Sequence, residues 1–474
     1  MKKTIAIFLL ACMLLGVLAS CATDSTESSS EMAQSAESEK VQEQSSTLDT
    51  QESPGEPSSE TTSNESSSSE ESSSALDEPV EKELDDSVVN LTADMMEEID
   101  FAKILDQRFI SSQMKLSLDL FKAFAKKSEN ENVFISPLSV QMALAMNANG
   151  ACGQTRAEME ALLADNITLE ELNNYLASYR QSLPSSEGAT LKIANSIWFK
   201  SSDSFVVKSE FLEKNQRYFR AELYRAKFDD TTVNSINAWV DKSTDSMIKE
   251  ILKEIPQEAV MYLINAIMFD AKWERPFNEN CNYDGEFTNI SGNKKQVEMM
   301  YRDGEYMYIE TDSATGFKKN YEGGAYSFVA LLPGEAVSIN DYIASLDAQT
   351  LLDTLGSVKH GGEGIIQVPK FEHEYSLEMN ELLSELGMPT AFLEGSADFG
   401  NISNESLYIS QVVHKTFISL DNLGTRAGAV TMVEDSAESE SKIYWSVTLD
   451  RPFVYMIVDN ATNLPVFIGA VMDI

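Results

Sequence analysis

The chain has 474 residues, with 76 acidic side chains against 36 basic ones and a formal net charge of −40. That surplus argues against binding to nucleic acid or to an anionic membrane surface through charge, since both need a basic footprint. The length admits one large domain or two to three ordinary ones.

At the N-terminus, Lys2 and Lys3 precede the apolar run IAIFLLACMLLGVLA, which leads into the small-residue site LAS and Cys21. This is the pattern of an export signal. The ending Leu-Ala-Ser-Cys resembles bacterial lipoprotein signals, which implies a signal over residues 1–20 and a lipid on Cys21. A plain secretory signal is the alternative. A longer membrane span does not fit, because an acidic segment follows Cys21. From Ala22 to Asp86 there are 19 acidic residues against Lys40 and Lys82, a balance of −17, in a background of Ser, Glu, Thr and Gln. Such a segment has too little apolar surface to offset chain ordering. Residues 21–86 are therefore expected to form a disordered tether with a coil dimension on the order of 40–50 Å. Residues 87–474 are expected to fold.

In the folded part, SSQMKLSLDLFKAFAKKS places Met114, Leu118, Phe121 and Ala125 on one helix face, with Ser111 or Ser112 as its cap. NVFISPLSVQMALAMNANG reads as a short extended piece and then a helix, with Ser136 as cap, Pro137 in the first turn and Gly150 at the end. AVMYLINAIMFDAKWERPF, AYSFVALLPG and SLYISQVVHKTFISLD read as strands. RPFVYMIVDNATNLPVFIGAV gives two apolar strands around DNATN, a hairpin buried on both faces. Helices come early and strands late, so the class is α+β. Beyond the signal only Cys152 and Cys281 remain, too few for a disulfide framework.

The sequence offers little enzyme chemistry. Past the signal it has three histidines, His360, His373 and His414, and no His-Glu-x-x-His, nucleophile elbow, phosphate loop or dinucleotide fingerprint. HGGEG at 360–364 lacks the strand-to-helix setting of a phosphate cradle and reads as a flexible loop. His373, flanked by Glu372 and Glu374, has no second ligand for a metal and reads as a surface residue. His414 lies in a strand pattern and reads as a satisfied core histidine. No cofactor and no metal is expected.

Six stretches, taken in order, resemble the serpin family: NVFISPLSV, INAIMFDAKWERPF, VPKFEHEYSLEMNELLSELGMPTAF, ADFGNIS, LYISQVVHKTFISLDNLGTRAGAVT and RPFVYMIVDNATNLPVFIGAV. The resemblance covers roughly residues 110–474 and implies one large, mainly antiparallel sheet, two smaller sheets and about eight or nine helices. It also implies an exposed reactive-centre loop between Gly424 and Arg451. In inhibitory members a protease cuts that loop and forms an acyl-enzyme, and the cut loop then enters the large sheet as a new strand, a process that already serves as a standard case of strand addition and stored strain.

Alternation explains the composition of GTRAGAVTMVEDSAESESKIYWSVTLDRPF, because side chains on a strand point to opposite faces. Thr425, Ala427, Ala429, Thr431 and Val433 share the face expected to turn inward, while Arg426, Gly428, Val430, Met432 and Glu434 share the other. Asp435 falls on the inward face late in the run and weighs against full insertion, because an unpaired buried charge is costly. The resemblance places the scissile bond between Glu438 and Ser439, fourteen residues past the hinge Gly424. Glu438 would select a glutamate-specific serine protease. Lys442, bait for a trypsin-like enzyme, is the alternative.

By the match to SPLS, INAI and VVHK, Ser136, Ser139, Asn265 and His414 correspond to the shutter where the large sheet parts. Trp273 corresponds to the tryptophan under the top of the sheet, the breach. Serpins often pair a Glu two residues before the hinge glycine with the Lys of a PK strand; here Lys370 is present but that position is Asn422. The loss of this pair predicts a looser breach, tightened by Asn422→Glu. The resulting expectation is a monomeric inhibitor of serine proteases, with cysteine proteases as the alternative class, displayed outside the cell on a lipid anchor. A non-inhibitory serpin that acts as a binding module or substrate is the second reading, and a solute-binding lipoprotein the third.

Overall fold

The computed structural model describes residues 84–95, 99–186, 188–425 and 442–474. The signal, Cys21, most of the tether and the loop residues Ala427, Ala429, Thr431, Asp435, Glu438 and Ser439 lie outside the described residues.

In chain order the first half runs β1 (Val89–Asn90), α1 (Gln107–Lys127), β2 (Val133–Ile135), α2 (Pro137–Ala148), α3 (Gly153–Ala164) and α4 (Leu169–Ser182). It continues with β3 (Ala189–Lys200), α5 (Ser209–Phe219), β4 (Glu222–Ala226), α6 (Asp230–Ser243) and β5 (Met261–Lys272). Next come β6 (Tyr283–Thr288), β7 (Lys294–Glu310), β8 (Ala314–Asn320), β9 (Tyr326–Pro333), α7 (Ile339–Ser345) and α8 (Ala348–Ser357). The chain closes with β10 (Lys359–Pro369), β11 (Phe371–Glu378), α9 (Asn380–Glu385), β12 (Gln411–Leu420), β13 (Gly424–Thr425), β14 (Trp445–Thr448), β15 (Phe453–Asp459) and β16 (Pro465–Val471). Nine α-helices among the described residues, gathered toward the first half, and strands gathered toward the second make this an α+β fold.

The strands form two sheets. The first has the order β1-β4-β3-β5-β13-β12-β11, five substantial strands plus the two-residue β1 and β13. The second has nine strands, because β7 and β10 are long enough to run the two smaller expected sheets together into one ladder. The largest apolar core lies between the sheets and is filled from one side by α1 and α2. A smaller core on the opposite face packs α6, through Ile236, Trp239 and Val240, onto Trp198, Tyr224 and Tyr262.

Helix α1 buries Met114, Leu118 and Phe121 as the spacing predicts, but its cap is neither Ser111 nor Ser112. It begins earlier, where Asp106 accepts a hydrogen bond from the Phe109 N–H at 3.2 Å, and Ser112 is buried inside the helix. Helix α2 starts as expected, with Ser136 accepting from the Ser139 N–H and Pro137 in its first turn, and all of its residues are buried. Gly150 follows its end for a different reason from the expected one. Its φ is not positive, but a Cβ there would lie 2.2 Å from Ile402 Cγ1, so close packing dictates the glycine.

Two further readings are corrected. HGGEG is not a flexible loop but part of β10, which pairs with β7 across a bulge between His360 and Glu363. Gly361 and Gly364 make room for Trp445, whose Cε2 would lie 2.2 Å from a Cβ at Gly364. His373 is not a surface residue. Strand β11 buries Phe371 and Tyr375 and exposes Glu372 and Glu374, so alternation turns His373 inward toward Phe134 and Tyr455. Cys152 and Cys281 are free thiols.

Candidate functional site

The two central long strands of the first sheet, β5 and β12, run parallel and are only partly joined. They pair at one end, Gln411 with Tyr262, Val412 with Leu263 and Val413 with Ile264. At the other end each pairs instead with β13, Thr425 lying between Leu420 and Ala271. Among the described residues no ladder pair joins Asn265–Asp270 to His414–Ser419. The sheet is thus open like a wedge, and its mouth holds the first two residues of the segment that continues into residues 426–441. Buried backbone groups strongly favour a partner, so these facing edges are suited to a strand.

Gly424 and Thr425 fit the mouth for specific reasons. A Cβ at Gly424 would lie 2.0 Å from the Ala271 carbonyl oxygen, so only glycine passes there. Thr425 is 2% exposed, and its hydroxyl lies 2.6 Å from that of Tyr321. Burial pushes the Tyr321 phenol up, so it stays neutral and able to donate.

Trp273 forms the floor under this mouth. Its ring stacks on Tyr321 at 4.5 Å between centroids and 8° between planes. Its backbone N–H donates to the Leu423 carbonyl at 2.8 Å, and its indole N–H donates to the Asp421 carbonyl at 2.9 Å. The Lys319 ammonium lies 5.2 Å from the Trp273 ring and 4.9 Å from Phe277, which neutralises part of the cost of its burial. Tyr321 and Lys319 were not singled out from sequence. Nothing in the polar run FKKNYEGG marks them as buried.

Further along the wedge, helix α2 is fastened to both strands. The Ser136 backbone N–H donates to His414 Nε2 on β12 at 3.1 Å, and the Ser136 hydroxyl donates to the Val466 carbonyl at 2.8 Å. The Ser139 hydroxyl donates to Asn265 Oδ1 on β5, and Asn265 in turn donates to Asn195 Oδ1 on β3. The structure therefore brings Ser136, Ser139, Asn265 and His414 together in one buried polar group, with Asn195 as a member missed from sequence. Burial lowers the His414 pKa to about 4, so its ring is neutral and its Nε2 accepts. Moving β5 away from β12 must break one of these attachments or carry α2 along.

Lys370 is where the sequence reading needs correction. Its ammonium pairs with Glu298 at 2.8 Å, and Glu298 also accepts from Asn282 Nδ2 at 2.6 Å. Asn282 and Asn422 then exchange two amide hydrogen bonds, at 2.9 and 3.0 Å. Both interactions hold the Glu298 carboxylate below the usual range, that with Lys370 more strongly. Lys370 has not lost an ion pair as expected, because a different carboxylate, Glu298, takes it up and the amides complete the connection to the turn.

The first sheet is thus parted between its two central long strands, with the two-residue β13 paired between them at the mouth. A profile of the family described as Serpin (serine protease inhibitor) matches residues 111–474, and the chain belongs to that family. Human neuroserpin is 28% identical over 75% of this chain and 90% of its own length. Rat alpha-1-antiproteinase is 30% identical over 77% of this chain and 89% of its own. The crystal structure of the thermophilic serpin tengpin in its native state is 43% identical, covers 82% of this chain and all of that chain, and superposes with a TM-score of 0.77. The latent state of tengpin, also 43% identical, gives 0.69 over 78% of this chain. Serpins are protease inhibitors, not enzymes, and the names of such relatives say as much.

Proposed function

We propose that the protein inhibits serine proteases by inserting its cut loop into the wedge between β5 and β12. The observation that carries this reading is Gly424 and Thr425 already paired between the two strands, at the head of an opening across which, among the described residues, no ladder pair joins β5 to β12. The protease serine attacks the Glu438 carbonyl carbon, the Glu438–Ser439 bond breaks, and the departing Ser439 amine takes the proton. Residues from Arg426 onward then pair with Asn265–Asp270 on one side and His414–Ser419 on the other. Each new ladder hydrogen bond contributes about 1 kcal/mol, so a strand's worth is ample drive.

Glu438 fits a protease with a basic specificity pocket, since a hydrophobic one would have to desolvate its carboxylate. Lys442 suits the role less well. It stands at the foot of the loop, its ammonium 5.3 Å from the Tyr444 ring, and the Tyr444 N–H is already fixed to the Glu363 carbonyl at 2.9 Å. Cys21 carries a lipid that holds the monomeric inhibitor on the outer side of a bacterial cell membrane, the acidic tether spacing it from the surface. Replacing Cys21 by Ala then releases the protein into the medium; retention at the membrane would sink this part of the reading.

The deciding experiment mixes the full chain with a glutamate-specific serine protease and resolves the products on a denaturing gel, with mass spectrometry of the released fragment. A stable covalent band and a fragment beginning at Ser439 are expected. A nicked product with no complex would make the protein a non-inhibitory substrate.

A further inference from the structure

Lys370 and the three residues that connect it to the hinge form a series: ammonium, carboxylate, amide, amide. Glu298 lies on β7 and Asn282 directly precedes β6, both in the second sheet, whereas Asn422 lies in the turn between β12 and β13 in the first. The series thus ties one sheet to the turn that presents Gly424.

The chemistry of Asn282 gives the series a direction. Its Nδ2 has two hydrogens, one directed to Glu298 Oε1 at 2.6 Å and the other to Asn422 Oδ1 at 3.0 Å. Its Oδ1 accepts from Asn422 Nδ2 at 2.9 Å. Flipping the amide would set Oδ1 against the carboxylate, so Glu298 fixes the orientation of Asn282, which fixes Asn422. Asn422 is 1% exposed and is also held by Phe277, its Nδ2 donating to the Phe277 carbonyl at 3.4 Å and its own carbonyl accepting from the Phe277 N–H at 2.9 Å. Lys370 and Glu298 are themselves partly exposed, so their ion pair is screened, and the part-buried amide pair is the element that must be broken for the turn to move.

We propose that Asn282 and Glu298 are the positioning residues of the hinge in this protein, and that a carboxylate at position 422 would loosen the turn rather than tighten it. A Glu at 422 would set a second carboxylate against Asn282 Oδ1, while Lys370 is already occupied by Glu298. The usual remedy for the missing Glu therefore works here only if Glu298 gives up its charge. Glu298→Gln with Asn422→Glu frees Lys370 for the new carboxylate and leaves one negative charge in the series instead of two.

The test measures amide hydrogen exchange of the full chain in the peptides spanning 273–278 and 419–425, together with the rate at which heated, uncleaved protein loses the ability to form complex. Glu298→Gln, Asn282→Ala and Asn422→Glu are each expected to speed hinge exchange about threefold or more, as suits partly screened hydrogen bonds, with exchange in α1 unchanged. The double variant Asn422→Glu/Glu298→Gln should be slower than either single one. Glu298→Gln is nearly isosteric at a partly exposed site, so it keeps the test readable where a variant at 422 misfolds. Slower exchange in Asn422→Glu alone, or no change in Glu298→Gln and Asn282→Ala, would overturn the proposal. The heating arm rests on the loop-insertion reading and the exchange arm does not. If hinge exchange responds as expected while no variant ever forms complex or converts, the positioning role stands and the inhibitory function falls.

Discussion

The backbone N–H of Ser136, at the start of α2, donates to Nε2 of His414 on β12 across 3.1 Å. A protonated ring would present a hydrogen there, so the contact exists only while His414 is neutral. Burial lowers its pKa from 6.5 to about 4, and His373 is shifted to the same degree by the same cause. Between those values the unfolded chain binds protons that the native chain does not. Native stability should therefore fall as pH drops from 7 toward 4 and level off below, each histidine contributing up to about 3 kcal/mol. Thermal unfolding at pH 7 and pH 5 checks this. The midpoint should be lower at pH 5, and His414→Gln should shrink the difference; equal midpoints for the wild type would refute it.

Thr425 is already inside the sheet, which makes it the most severe position at which to obstruct insertion. Thr425→Arg would bring an unpaired charge against Tyr321 and Ala271, at a cost of several kcal/mol. The variant should still be cut by the target protease but should run as nicked chain, its covalent band reduced at least tenfold. An undiminished band would mean that the strand does not enter past this point.

Selectivity should follow position 438. Glu438→Arg is expected to abolish complex formation with a glutamate-specific protease and to confer it on a trypsin-like one. If the fragment released from the wild type begins at Ile443 instead, the bait is Lys442.

Gly364 offers a test of packing remote from the loop machinery. A methyl group there would meet the Trp445 ring, which stacks on Tyr308 with centroids 4.8 Å apart. Gly364→Ala should lower stability by about 1–3 kcal/mol and alter Trp445 fluorescence, as overpacking does. A variant with unchanged emission and melting would show that the ring has room to retreat.

Much of the architecture was legible because it rests on local signals. Ser136 and Pro137 announce α2, and the unbroken apolar runs of β15 and β16 announce a hairpin buried on both faces. His373 was misread because its two Glu neighbours suggested a polar surface, whereas alternation with Phe371 and Tyr375 already placed it inward. Gly150 was read as a helix-end glycine and HGGEG as a flexible loop, when close neighbours, Ile402 at Gly150 and Trp445 at Gly364, were the reason for the glycines. The hinge connection was beyond reach for another reason. Asn282 lies 140 positions from Asn422, and nothing in either local sequence marks them as partners. Position 422 was compared with what it lacked, and the compensating carboxylate stands on a different sheet.

Where the ladder between β5 and β12 stops, past Ile264 and Val413, backbone geometry alone does not specify which chain could be added. Backbone pairing accepts any extended segment with small inward side chains, including the same segment of another molecule. What favours the protein's own loop is its attachment at Thr425, which gives it an effective concentration in the millimolar range. Another chain competes only when it is comparably concentrated or when the local loop is held back. On the loop-insertion reading, raising the concentration of the protein therefore raises the chance that another copy reaches the opening first.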